Sequence, residues 1–168
     1  MEEWRSLTFL GYDHYEISDH GRVRNTDTGR IIRVHPNNHN IYHVGLYSEG
    51  VRTNYSVGKL VALAFLPKPE SEYFDTVTHR NGKKYDNYYG NLEWRPHWFS
   101  VKYNQEYNAM NSYPETPVVE TTTNLWFKRV RDAASYFCLL EEDVHKACLG
   151  GPAPIFGRDL RFEYESED

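Results

Sequence analysis

The chain has 168 residues, 39% hydrophobic and 15% aromatic, a formal charge of −5 and a pI near 5.9. That length fits one composite domain or two small ones, and the acidic balance lacks the basic footprint expected of a free nucleic-acid binder. No apolar run reaches the roughly 18 residues of a membrane span, and two cysteines, Cys138 and Cys148, make neither a disulfide framework nor a zinc site.

Trp4 to Asn25 opens with a strand pattern, in which Tyr15, Ile17 and Val23 alternate with polar residues and Asp19-His20-Gly21 supplies a turn. Arg22 and Arg24 then project from one strand face, as phosphate contacts or as solvated surface arginines. His35, His39 and His43 recur every four residues, which would align three imidazoles for zinc on a helix, but Pro36-Asn37-Asn38 argues for a turn. Ile41 to Lys59 reads as a second hairpin around Glu49-Gly50. Lys59 to Leu66 is apolar at nearly every turn and is closed by Pro67 and Pro69, so it reads as a short buried helix.

Pro96 to Met110 has an amphipathic helical pattern carrying Trp98, Phe99, Val101 and Tyr103, an aromatic stripe that fits core better than a base-stacking platform. Asn111 to Thr116 is turn-rich and reads as a linker.

The run from His79 to Trp94 places His79 and Asn91 twelve residues apart around a Gly- and Asn-rich loop, and it resembles an HNH nuclease hairpin. Trp4 to Asn25 is similar to the module that precedes HNH domains in phage and intron homing endonucleases, and Pro117 to Tyr164 to the helix-turn-helix-like module that follows them. The latter resemblance implies a hairpin of Val118 to Glu120 with Leu125 to Lys128, helices at Val130 to Phe137 and Glu141 to Leu149, a Gly150-Gly151 stop and a strand at Leu160 to Tyr164. The resemblance implies an α+β fold with N-terminal β-hairpins plus a ββα-metal (HNH) core, then a small C-terminal module. The corresponding segments are 1–69, 70–110 and 117–168, with 111–116 between them.

The chemistry that the resemblance implies is phosphodiester cleavage of double-stranded DNA, with a neutral imidazole taking a proton from water beside one Mg2+ or Mn2+. His79 is then the base and Asn91 the amide that ties the loop together. The metal-ligand positions before the histidine and on the following helix hold Thr78 and Ser100, whose hydroxyls are weak ligands for a hard cation. Substitute donors are His97, Asp75, Asp86 or Asn87. The homologous endonucleases often carry a histidine where this chain has Gly58, so no catalytic role transfers there.

In the ordinary helix-turn-helix the second helix enters the major groove, but here it begins Glu141-Glu142-Asp143, a good helix start and a poor phosphate contact. Cys138 also stands in the turn where glycine is common in that family. Residues 116–168 carry six bases and ten acids, whereas residues 1–70 carry eight of each. A local basic track remains available from Arg22, Arg24, Arg30, Arg33, Arg52, Arg80, Lys83 and Lys84. Two readings follow. One is a metal-dependent endonuclease on DNA. The other is a cleavage-inactive HNH scaffold that regulates or inhibits by binding DNA or a host protein such as a polymerase or a defence nuclease, with the acidic C-terminal module as contact surface. Either is expected in the cytoplasm, since the Met1-Glu2-Glu3-Trp4 start is acidic where a signal peptide is basic.

Overall fold

The computed structural model describes residues 1–69, 71–109, 113–152 and 160–165. The expected helix end at Met110 and the linker residues Asn111 and Ser112 lie outside them. The chain divides into two compact units, Met1–Ser100 and Val101–Asp168.

In the first unit, β1 (Trp4–Leu7), β2 (Tyr12–Ser18), β3 (Val23–Asn25) and β4 (Ile31–Ile32) form an antiparallel sheet in that order. The β2–β3 turn is pinned by Ser18, whose hydroxyl accepts from Arg22 N at 2.9 Å, and by Gly21 at φ +82°. A second sheet joins β5 (His35–Pro36), β6 (Tyr42–Ser48) and β7 (Val51–Ser56). Its β6–β7 turn runs through Glu49 (φ +51°) and Gly50 (φ +80°), both left-handed, as a two-residue hairpin of matching twist requires. His35 pairs with His43 across β5 and β6, so the three histidines lie on a hairpin rather than along a helix face. The physical reason is Asn37, whose amide oxygen accepts from His39 N and Ile41 N and closes the turn.

Helix α1 (Val57–Phe65) begins two residues before the expected Lys59, because Ser56 is its N-cap and accepts from Lys59 N at 3.5 Å. Its Val57, Leu60 and Val61 join Leu7, Ile17, Val23, Val44, Leu46 and Leu92 in one apolar core, which the segments expected at 1–69 and 70–110 therefore share. β8 (Thr76–His79) pairs with β9 (Leu92–Arg95), with His79 opposite Leu92 and Thr78 opposite Glu93. α2 (His97–Asn108) follows, and the division between the two units falls within it.

In the second unit, β10 (Val118–Glu120) lies between β11 (Leu125–Phe127) and β12 (Phe162–Tyr164). α3 (Val130–Phe137) and α4 (Glu141–Cys148) pack on a core that includes Val118, Val130, Phe137, Val144 and Phe162. The α3–α4 corner turns on Cys138, buried at φ +52° where glycine would be unstrained. Among the described residues, no helix is long and apolar enough to cross a membrane.

Candidate active site and nucleic-acid surface

Strand β8 carries Thr78 and His79 in succession, and β9 returns beside it after a loop held by Asn91. The Asn91 amide oxygen accepts from Asn81 N at 3.0 Å, and its nitrogen donates to Asn81 Oδ1 at 3.0 Å and to the Asp86 carbonyl at 2.8 Å. The backbone adds Arg80 N to the Asn91 carbonyl at 2.8 Å. Both ends of the loop are thus tied to one side chain, using the donor and acceptor capacity of an amide. Asp86 also accepts from Asn81 Nδ2 at 2.6 Å, which engages it in the loop's own structure.

His79 is buried, with 9% of its surface exposed, and Nε2 lies 3.1 Å from Asn87 Oδ1. Burial holds its pKa below the usual imidazole value, while the Asn87 bond and the Asp86 charge pull it upward, so the neutral base form prevails at neutral pH. Gly58, on the first turn of α1, faces this pair: a Cβ there would stand 2.9 Å from Asn87 Oδ1 and 3.5 Å from His79 Nε2. Gly58 thus adjoins the site through its lack of a side chain, which is a steric part and not a catalytic one. Asn87, expected as a spare metal donor, is engaged with the imidazole instead.

At the two ligand positions, Thr78 and Ser100 are 1% and 5% exposed, and their hydroxyls hydrogen-bond to each other. Two neutral hydroxyls bonded to each other are a poor fit to Mg2+ or Mn2+, which favour carboxylate and carbonyl oxygens. The substitutes do not repair the set. His97 is exposed at the start of α2, and Asp75 accepts from the Thr76 hydroxyl at 2.8 Å. Among the described residues, only Glu2, Asp19 and His20 gather three metal-type ligand atoms. Those atoms are already engaged, Glu2 with Arg22 and Asp19 with His20 at 2.8 Å.

The proposed cationic track is split by its pairing. Arg22, Arg24 and Arg80 form ion pairs with Glu2, Glu16 and Glu93, and the Arg22 and Arg24 guanidinium groups also lie over Trp4 at 5.6 and 4.2 Å. Arg30, Arg33, Arg52 and Lys83 are exposed, and neither they nor Lys84 form an ion pair among the described residues. The β5–β6–β7 sheet turns Val44 and Leu46 inward, so His43, Tyr47 and their cross-strand partners His35 and Arg52 share the other face with Asn54. That face is rich in hydrogen-bonding side chains of the kinds that contact bases and phosphates.

In the second unit, one of the acids at the start of α4 is buried and two are ion-paired. Glu141 is 4% exposed and bonds Arg131 at 2.9 Å, and Glu142 bonds Lys102 at 2.7 Å and Lys146. The lysines hold Glu142 at a pKa of about 2, and burial raises that of Asp143. Two of the three acids at the start of α4 are therefore engaged within their own unit.

A family model described as the NUMOD4 motif matches residues 2–47. An uncharacterized HNH endonuclease of Acanthamoeba polyphaga mimivirus is 30% identical over 157 residues, covering 89% of this chain and 45% of the relative. The DNA endonuclease I-HmuI of Bacillus phage SP01 is 26% identical over 110 residues, covering 65% of this chain and 61% of that protein. The chain thus spans less than two thirds of the length of each. A solved structure describing DNA binding and cleavage by the HNH homing endonuclease I-HmuI superimposes with a TM-score of 0.56 at 20% identity, covering 99% of both chains, which establishes the shared fold.

Proposed function

We propose that this chain, a relative of the HNH homing endonucleases by sequence and by fold, is a double-stranded DNA-binding protein whose HNH centre keeps its base but has exchanged its cation ligands for a hydroxyl pair. The observation that carries the second half of this reading is the buried Thr78–Ser100 bond, which fills both expected ligand positions with neutral hydroxyls, weak ligands for a divalent cation. DNA binding is supported by Arg30, Arg33, Arg52, Lys83 and Lys84, which form no ion pair among the described residues, and by the polar outer face of the β5–β6–β7 sheet. Internal pairing of Glu141 and Glu142 leaves the alternative of a host-protein contact through those acids with less support. Cys138 and Cys148, both free thiols, suit a reducing cytoplasm.

The second reading, a working endonuclease, is favoured by one feature: His79 is held neutral beside a fully tied loop, as a general base requires. Plasmid nicking over a range of Mg2+ and Mn2+ concentrations separates the two. The expected result is DNA retention without nicking by the wild-type chain, and a gain of nicking in Thr78→Asp/Ser100→Asn that disappears when His79→Ala is added. Wild-type nicking abolished by His79→Ala would overturn the proposal in favour of an active enzyme.

A further inference from the structure

Asn91 satisfies its amide on the loop around it, whereas Asn87 reaches out of the same loop. Asn87 is 7% exposed, its nitrogen donates to the Tyr85 carbonyl at 3.4 Å, and its oxygen lies 3.1 Å from Nε2 of His79. A primary amide donates only through nitrogen and accepts only through oxygen. With the nitrogen directed at Tyr85, the oxygen is what meets the ring, so Nε2 must be the donor. A neutral imidazole carries hydrogen on one nitrogen and a lone pair on the other, and the partner of the first decides which is which. The lone pair then sits on Nδ1, which has no hydrogen-bond partner among the described residues.

Two glycines from other parts of the first unit admit this side chain. A Cβ at Gly21 would lie 2.8 Å from Asn87 Cβ and 3.1 Å from Val57 Cγ1, and one at Gly58 would lie 2.9 Å from Asn87 Oδ1. Contacts under 3 Å at both points mean that any larger residue would shift Asn87. The β2–β3 turn and the start of α1 thus set the amide's place from two sides. A side chain that served only its own loop would not need that fit.

We propose that Asn87 is the positioning residue of the His79 centre: its amide oxygen fixes the imidazole in the Nε2–H form and leaves Nδ1 as the proton-accepting atom. The proposal deepens the reading of His79 as the retained base, but the tautomer is a property of the free protein and is measured without DNA or metal.

The test is ¹⁵N NMR of the histidine rings in the full chain at neutral pH, with the His79 signals assigned by their loss in His79→Gln. The wild type is expected to show hydrogen on Nε2 and none on Nδ1. Asn87→Asp, which keeps an oxygen acceptor, keeps hydrogen on Nε2, and its added charge favours the doubly protonated ring. Asn87→Ala and Gly58→Ala lose the Nε2–H form, the first by deleting the acceptor and the second by displacing it. Hydrogen on Nδ1 in the wild type, or an unaltered Nε2–H form in both Asn87→Ala and Gly58→Ala, would overturn the proposal. Should Asn87→Ala fail to fold, the wild type and Gly58→Ala still decide. A chain with the expected tautomer that neither binds nor cleaves DNA would count against the functional reading and leave this one standing.

Discussion

At the scale of single residues, left-handed backbone marks where the sequence and its conformation disagree. Glu49 holds φ +51° at an exposed position in the β6–β7 turn, a conformation costing an ordinary L-residue about 1 kcal/mol or more. Asparagine tolerates it, and Asn-Gly is the preferred pair for this turn. Glu49→Asn is therefore expected to raise stability by roughly 0.5–1 kcal/mol, read as a higher urea midpoint with an unchanged slope. An unchanged or lower midpoint would mean that Glu49 makes a compensating contact in the folded state. Cys138 is left-handed too, but its thiol is buried, so glycine there would trade strain for lost packing. The sequence made Thr78 and Ser100 legible as hydroxyls at ligand positions. It could not show that they bond each other, because that depends on how closely β8 and the first turns of α2 approach. Nor did it reveal Asn87's partner. The signals that would have found it, Gly21 and Gly58, are distant in sequence and individually ordinary.

At the scale of elements, the second unit rests on a carboxylate that no pattern announces. Glu120 ends β10 fully buried, and its two oxygens accept from Thr122 N and Thr123 N, each at 2.9 Å, from Arg161 N at 3.3 Å, and from the Thr123 hydroxyl. Burial alone would raise its pKa, but the hydrogen bonds outweigh that and hold it at about 2. Because the folded value lies below the ordinary carboxylate value, the stabilisation is fully present above pH of about 4.5 and disappears as pH falls toward 2. Glu120→Gln replaces one acceptor with a donor facing the Thr122–Thr123 backbone, and a loss of about 2 kcal/mol at neutral pH is expected. The variant should also lose less stability than the wild type between pH 5 and about 2.5 in paired denaturation curves, and parallel curves would sink this account. Many strands and helices were readable from alternation, caps and breakers, as the end of α1 at Phe65 ahead of Pro67 shows, whereas the bounds of α3 came from the family resemblance. The role of the α4 acids was not readable. The Glu142–Lys146 pair is local, whereas Arg131 meets Glu141 from another helix and Lys102 meets Glu142 from forty residues away.

At the scale of the molecule, net charge proved a poor guide to where charge is available. The chain is acidic overall, yet ion pairing consumes Glu2, Glu16, Glu93, Glu141 and Glu142 and leaves Arg30, Arg33, Arg52, Lys83 and Lys84 outside such pairs among the described residues. A phosphate-binding surface is measured by what it can release, since each contact frees condensed counterions and contributes about −0.9 to the slope of log K against log salt. If all five cations touch phosphate, DNA binding should follow a slope of about −4 to −5, falling by about 1 in Arg52→Ala. Arg52 is the informative choice because it also lies on the outer sheet face beside Asn54 and Tyr47. A phosphate-only role predicts that Arg52→Ala weakens all sequences alike, whereas a base contact from that face would weaken a preferred sequence more than a random one. Arg24→Ala supplies the contrast: its guanidinium is bound to Glu16 and stacked over Trp4, so its loss should leave the slope almost unaltered. Equal slope changes in the two variants would show that the ion pairs open on binding, and the unbound pairing would then cease to distinguish the cations that meet DNA from those that do not.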